Sequence, residues 1–284
     1  AEAAAMDPQQ RLLLECGYAA LHTAALDRSA LSGSLTGVFL GIASTEFAQL
    51  LALSPAGGSV YAATGSSLSI ASGRLSYVLG LHGPCASYDT ACSAALAACH
   101  AGLRAMQRTE CTAGLVTGVN LMLTPVVGTS FSIAGMTSAR GQCHTFDARA
   151  DGYVRGEACG AITLQNSLVG SQLSLCGCAV RQDGRSASLT APNGQAQQGL
   201  LLATLGDAGL EASALTLNEA HGTGTALGDP IEAGSLAAAV LKHRDETLYL
   251  PVGGIKANIG HAEPAAGMTG LFKLALGLKH LETV

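Results

Sequence analysis

Three short segments of the chain carry side chains able to make and break a covalent bond. In the first, Tyr88 to Leu96 (YDTACSAAL), Cys92 falls where an extended segment gives way to a helix. The first turn of a helix holds amide N–H groups without intrahelical partners and a partial positive charge, and both favour thiolate over thiol. Ala91, Ser93, Ala94 and Ala95 leave room beside the sulfur for an acyl group. The competing reading is a buried structural thiol, the fate of most cysteines. In the second segment, Glu219 to Pro230 (EAHGTGTALGDP), His221 ends a strand and enters a Gly-rich loop. The C-terminal end of a strand is where open αβ sheets place ligands. Gly222-Thr223-Gly224 lacks the last glycine of a dinucleotide fingerprint, and no acidic ribose partner follows in a βαβ unit, so nucleotide binding is set aside. A histidine that only caps the loop is the alternative here. In the third, Gly254 to Glu263 (GIKANIGHAE), Lys256 and His261 lie between a short strand and a helix. A lysine near two imidazoles pushes them towards the neutral form, and a neutral ring can donate an N–H to a developing oxyanion. A plain Lys256–Glu263 ion pair is the alternative. Each segment alone is a modest signal; together they put one nucleophilic cysteine and two histidines at three strand ends.

These residues need elements to hold them. Asp7-Pro8-Gln9-Gln10 predicts a helix start, with an Asp cap and Pro at the first helical position, and its apolar face runs from Leu12 towards Leu21. Strands are expected over Leu35–Ile42, Cys85–Asp89, Gly114–Leu121, Gly160–Leu164, Leu173–Val180, Leu215–Ala220 and Val252–Ile255. Helices are expected over Ser66–Leu79, Cys92–Met106, Gln195–Ala208, Pro230–Lys242 and Pro264–His280. Strands and helices alternate, which indicates mixed or parallel sheets with helices on their faces.

Composition narrows the class further. The 284 residues amount to one large domain or two small ones. Hydrophobic residues make up 48% and charged residues only 12%, with a net charge of −5, which excludes a disordered chain and disfavours a nucleic-acid binder. Abundant Ala and 36 Gly, with no Trp, predict elements packed at close range through small side chains. The longest uncharged stretch, Cys111–Ala139, could span a bilayer by length, but Asn120, Pro125 and Gly128 interrupt it, so it reads as buried strands and loops. The opening residues lack the basic start and apolar core of a signal peptide. Nine cysteines without framework or zinc spacing indicate buried thiols in a reducing, cytosol-like compartment.

DTACSAAL at 89–96, HGTGTALGDPIEAG at 221–234 and KANIGHAEPAAG at 256–267 closely resemble the three active-site motifs of β-ketoacyl synthases. MDPQQRLLLE at 6–15, SGRLSYVLGLHGPC at 72–85, CHTFDARADGYVRGEACG at 143–160 and RQDGRSASLTAPNGQAQ at 181–197 are similar to the ketosynthase domains of modular polyketide synthases. The resemblance implies an α/β thiolase-like fold, two similar halves in α-β-α-β-α layers, here 1–145 with the cysteine and 146–284 with the His/His/Lys motifs. It implies a homodimer in the cytoplasm that bears no metal and no bound cofactor of its own. Its substrates would ride on the phosphopantetheine of an acyl carrier protein, alongside an acyltransferase and other megasynthase domains, with no nucleic-acid or membrane partner. By the same analogy Cys92 takes an acyl chain as a thioester and its backbone N–H supplies half of an oxyanion hole. His221 and His261 assist malonyl decarboxylation and stabilise the enolate and thioester oxyanion. Lys256 orders the His pair, and Thr223 and Thr225 contact the phosphopantetheine arm. The reaction implied is a decarboxylative Claisen condensation.

The chain also departs from the family pattern. It starts almost at MDPQQR, without the preceding apolar strand, and stops before the Phe-Gly-rich segment that supplies the second oxyanion-hole amide and a gating Phe. The expectation is therefore a piece truncated at both ends that folds poorly and condenses nothing by itself. Ala94 and Ala257 stand where Ser is common, without loss of a catalytic atom. Rival readings are a fatty-acid synthase condensing domain, a CoA-dependent thiolase-like or chalcone-synthase-like enzyme, a Cys–His hydrolase and a silent gating or structural module. Thiolase-like enzymes replace one His, and gating modules lose the Cys or the first His; this chain keeps all three.

Overall fold

The structure is a computed structural model that describes residues 1–166, 173–245, 247 and 249–280. The chain divides into two compact units, one of residues 1–128, 156–170 and 262–269 and one of residues 129–155, 171–261 and 270–284.

The first unit opens with a one-turn helix α1 (Glu2–Ala5) and then α2 (Pro8–Thr23). The predicted cap is present: the Asp7 carboxylate accepts the Gln9 N–H at 2.8 Å. Leu13 and Leu21 on its apolar face are fully buried. There follow α3 (Arg28–Leu31), β1 (Thr36–Gly41), α4 (Glu46–Ala52), α5 (Ala62–Ser66), α6 (Leu68–Leu79), β2 (Cys85–Tyr88), α7 (Ala94–Gln107), β3 (Ala113–Asn120), α8 (Pro125–Ile133) and β4 (Ala158–Gln165). The sheet runs β2-β1-β3-β4. β1 is parallel to both β2 and β3, while β4 lies antiparallel to β3 with Val116 opposite Ile162.

β1 and β3 are buried along their whole length, as near-continuous apolar runs in a sheet covered on both faces should be. Alternation sorts their side chains. Val38, Leu40 and Ile42 join Leu13, Leu21 and Leu75 from α2 and α6 in one core. Phe39 and Gly41 face α7. Here the small residues do what their abundance predicts. A Cβ on Gly41 would lie 2.4 Å from the Ala95 nitrogen, and Ala94, Ala95, Ala98 and Gly102 form the buried face of α7. The helix therefore rests almost backbone to backbone on the sheet.

In the second unit, α9 (Gly194–Ala208) begins at Asn193, whose side-chain oxygen accepts the Gln195 and Ala196 N–H groups. It ends at Gly209 in the left-handed conformation, φ 64°, the usual helix stop. α10 (Gly228–Ala239) packs against α9, and Leu236, Ala239 and Val240 meet Leu201 and Leu205. β5 (Asn218–Glu219) and β6 (Val252–Gly253) are short and parallel. α11 (Lys256–Ile259) follows, and α12 (Ala266–His280) starts in the first unit and continues in the second.

Three expectations need correction. Leu173–Val180 is not a strand. The Cys178 N–H bonds the Asp207 carboxylate at 2.9 Å and Gly177 lies close to Ala208, so the end of α9 helps to hold this segment. The strand expected over Leu215–Ala220 shrinks to two residues, because its ladder partner β6 is itself only two residues long. The stretch read as strands and loops contains α8, which the Glu46 carboxylate prepares by accepting the Leu123 and Thr124 N–H groups at 2.6 and 2.7 Å. Val, Thr, Ser and Gly are weak helix formers, so local propensity does not announce it. Among the described residues no helix is long and apolar enough to cross a membrane.

Candidate active site

Cys92 lies in the first unit, beyond the C-terminal end of β2 and two residues before the first residue of α7, a little earlier than expected. The turn that delivers it is under backbone strain: Ala91 has φ 52°, a left-handed conformation uncommon for a residue with a Cβ. The turn is braced to keep it so. The Ala91 N–H bonds Asp89 Oδ1 at 3.1 Å, and the Ser93 hydroxyl bonds the Thr90 carbonyl and hydroxyl oxygens at 2.8 Å each. Strained turns of this kind concentrate where a side chain must be presented in one direction. Cys92 is partly exposed, whereas Cys99, Cys111 and Cys143 are buried. Burial pushes the Cys111, Cys143 and Cys159 thiols up, and the Cys16 thiol adds to the effect on Cys159. None of the nine cysteines is in a disulfide.

The second unit brings the remaining predicted residues together. His221 follows β5, and His261 follows α11 across Gly260, which takes φ 77°. Their rings stand perpendicular with centroids 5.5 Å apart. His261 is 4% exposed and Lys256 is equally buried. His221 is exposed at its surface, although neighbouring protein groups crowd the ring enough to desolvate it. Desolvation, then the Lys256 charge, lowers the His221 pKa to about 4. Desolvation, then the neighbouring His221 and Lys256, lowers that of His261 to about 3. The lysine works as the sequence suggested, but burial is the larger cause. Both rings are neutral at pH 7, so each has one N–H to donate and one nitrogen to accept.

The loop between His221 and α10 is held by two carboxylates that the motif reading passed over. Glu232 Oε1 accepts the His221 N–H at 2.6 Å and Oε2 accepts the Gly222 N–H at 2.8 Å. Asp229 accepts from the amides of Gly224, Thr225 and Phe146. Asp229 and Glu232 are three apart at the start of α10, so both point back towards the loop; that spacing after a Gly-rich turn was the available signal. Thr223 is buried, and its hydroxyl lies 3.2 Å from that of Thr225. Thr225 also borders an open recess of about 390 Å³ shared with Phe146, Asp147, Asp229 and Pro230. Beneath the site, Glu219 accepts the Ile255 N–H at 2.6 Å and pairs with Lys273 at 3.0 Å, both side chains largely buried.

A partly exposed cysteine on a strained strand-to-helix turn, and a pair of uncharged imidazoles with a buried lysine, are parts suited to acyl transfer through a thioester. Comparisons with known proteins agree. Residues 1–168 match the family Beta-ketoacyl synthase, N-terminal domain, and residues 173–283 match Beta-ketoacyl synthase, C-terminal domain. Polyketide synthase GfsB of Streptomyces halstedii is 44% identical over 98% of this chain, which corresponds to 5% of that protein. The spectinabilin polyketide synthase system protein NorC of Streptomyces orinoci is 43% identical over 98% of this chain and 12% of its own length. The ketosynthase from module 6 of the bacillaene synthase of Bacillus subtilis 168 superposes with a TM-score of 0.88 at 36% identity, covering 98% of this chain and 49% of that one. The oxazolomycin ketosynthase domain OzmH KS7 of Streptomyces albus JA3453 gives 0.91 at 34%, covering 100% and 50%. The chain thus spans about half of each solved ketosynthase chain and a small part of each curated relative. The α/β architecture with its mixed sheet is the thiolase-like fold of these domains.

Proposed function

The chain belongs to the β-ketoacyl synthase family, and from that premise we propose that it is the condensing part of a modular polyketide synthase, with Cys92, His221 and His261 as its catalytic residues. The Cys92 thiolate attacks the carbonyl of an acyl thioester carried on the phosphopantetheine of an acyl carrier protein, and the carrier thiol leaves. A malonyl-type thioester then loses CO2, and its electron pair becomes an enolate. The enolate carbon attacks the acyl carbonyl, the C–C bond forms and the Cys92 thiolate is expelled. Exchange between two thioesters is nearly isoenergetic, so a sulfur nucleophile suits the first step.

The observation that carries this reading is the pair of neutral, perpendicular imidazoles beside a buried lysine. Decarboxylation makes the carbanion without a strong base. What the step needs is N–H donors for the enolate oxygen, and two uncharged rings supply them. Burial, aided by the Lys256 charge, holds both rings in that state. Thr223 and Thr225 contact the phosphopantetheine arm. Partners are an acyl carrier protein, an acyltransferase and a second copy of the chain, in the cytoplasm. The homodimer reading is supported by β2, which among the described residues closes one end of the sheet order, and an edge strand leaves main-chain groups for a partner strand.

Intact-mass spectrometry after incubation with an acyl thioester tests the assignment. One acyl adduct is expected, on Cys92, and it disappears in Cys92→Ala while malonyl thioester decarboxylation persists. An adduct on another thiol, or decarboxylation unaffected by His221→Ala and His261→Ala, overturns it.

A further inference from the structure

Five side chains of the second unit form a continuous stack that ends on the His pair. The Arg155 guanidinium lies 5.6 Å from the centre of the Phe131 ring. Phe131 meets Tyr153 edge-on at 6.4 Å, Tyr153 lies tilted against His261 at 5.0 Å, and His261 stands perpendicular to His221. The main chain runs in register with this stack. The His261 N–H bonds the Val154 carbonyl at 2.7 Å, and Arg155 and His261 form an isolated parallel bridge. On its other side Tyr153 is pinned by backbone bonds to Met136 and Ser138. The segment 153–155 is therefore a short ribbon with the His261 backbone along one edge and the Tyr153 ring against the imidazole.

We propose that Tyr153 is a positioning residue for His261, its ring fixing the plane of the imidazole and keeping water from that face. Main-chain bonds fix where the His261 Cα sits, and what packs against the buried ring helps to set its two side-chain torsions. Stacking of flat rings at 4.5–7 Å supplies the directional preference that a merely apolar neighbour lacks. Gly260 makes the contact possible: a Cβ there would press on the Val154 and Arg155 carbonyl oxygens at 3.1 and 3.2 Å. The same ring excludes solvent, and desolvation is the largest cause of the lowered His261 pKa. Phe131 and Arg155 support Tyr153 from behind.

This inference rests on the function proposed above, so its test uses one readout that does not depend on activity. In the purified protein, NMR titration of isotopically labelled histidines gives the His261 pKa directly. Tyr153→Ala should raise it by about one unit or more and lower malonyl thioester decarboxylation at least tenfold. Acylation of Cys92 should stay within about twofold. Tyr153→Phe should restore both the titration and the rate. Should Tyr153→Ala prove unstable, Tyr153→Leu keeps the volume without the flat ring and is expected to lose rate likewise. A parental titration in Tyr153→Ala overturns the inference, and so does a Tyr153→Phe variant as impaired as Tyr153→Ala. If the parent titrates as described but never decarboxylates a malonyl thioester, the proposed function fails while the positioning role stands on the NMR result.

Discussion

The His221 and His261 rings are perpendicular at 5.5 Å, and neither can take a proton without facing both desolvation and the positive field of Lys256. This fixes how the protein responds to acid. For His261 the folded pKa of about 3 lies below the unfolded value of 6.5, so between these limits the unfolded state binds the extra proton. Stability contributed by the neutral ring is complete above pH 6.5 and is lost as pH falls towards 3, by an amount on the order of a few kcal/mol. Thermal melts from pH 7.5 to 4 should show Tm falling below pH 6.5, with a shallower fall in His261→Asn. Decarboxylation by the folded protein should stay level from pH 7.5 to about 5 and decline only as His221, near 4, begins to titrate. A rate that halves near pH 6.5 would show that the rings titrate as if in water.

Glu232 offers a separate handle, because it accepts two backbone N–H groups of the loop. Its two oxygens accept the N–H groups of His221 and Gly222. In Glu232→Gln one of those positions becomes an NH2 group facing another donor. Losing a charged acceptor from a partly buried pair of amides costs roughly 1–3 kcal/mol. The expected result is a lower Tm and a decarboxylation rate reduced about tenfold, with Cys92 acylation by an acyl thioester unchanged. Equal losses in both half-reactions would mean that the loop does more than place His221.

The buried Glu219–Lys273 pair invites a double-mutant cycle. Removing one partner strands the other as an uncompensated buried charge, at about 3–5 kcal/mol, while replacing both is far milder. Lys273→Met should therefore destabilise the protein strongly and Glu219→Gln/Lys273→Met should recover most of the loss. Additive effects in urea unfolding would show that the ion pair contributes no coupling.

Much of this was readable from residue types, and the failures share a cause. The cap at Asp7 acts through the nearest few residues, so sequence shows it directly. β1 and β3 are apolar end to end because both faces are covered, and a continuous run identifies them. The strand expected at Leu173–Val180 and the missed α8 depend on Asp207 and Glu46, side chains about 30 and 80 residues away whose carboxylates take backbone N–H groups. No local pattern carries that information. At the site, His221, His261 and Lys256 announced themselves through motif spacing. Tyr153 did not, because its role lies in a contact with His261, 108 positions downstream.

The close seating of α7 on the sheet leads to the last prediction, which sets two glycines of neighbouring strands against each other. A Cβ at Gly41 would lie 2.4 Å from the Ala95 nitrogen and 2.6 Å from its Cα, backbone atoms that cannot turn aside. A Cβ at Gly114 would meet the ends of the Phe39 and Met106 side chains at 3.6 and 3.7 Å, which is ordinary contact. Gly41→Ala must therefore lift the first turn of α7 off β1, at roughly 1–3 kcal/mol of overpacking, and that turn directly follows Cys92. Gly114→Ala should be near neutral, since a buried methyl and a stiffer unfolded chain offset any adjustment. Urea unfolding of the two variants gives the stabilities, and the rate of Cys92 alkylation by iodoacetamide reports the turn. The expectation is a destabilised Gly41→Ala protein with altered Cys92 reactivity beside a Gly114→Ala protein that matches the parent in both. If the two alanines behave alike, the backbone contact between α7 and β1 is not what holds the Cys92 turn in place.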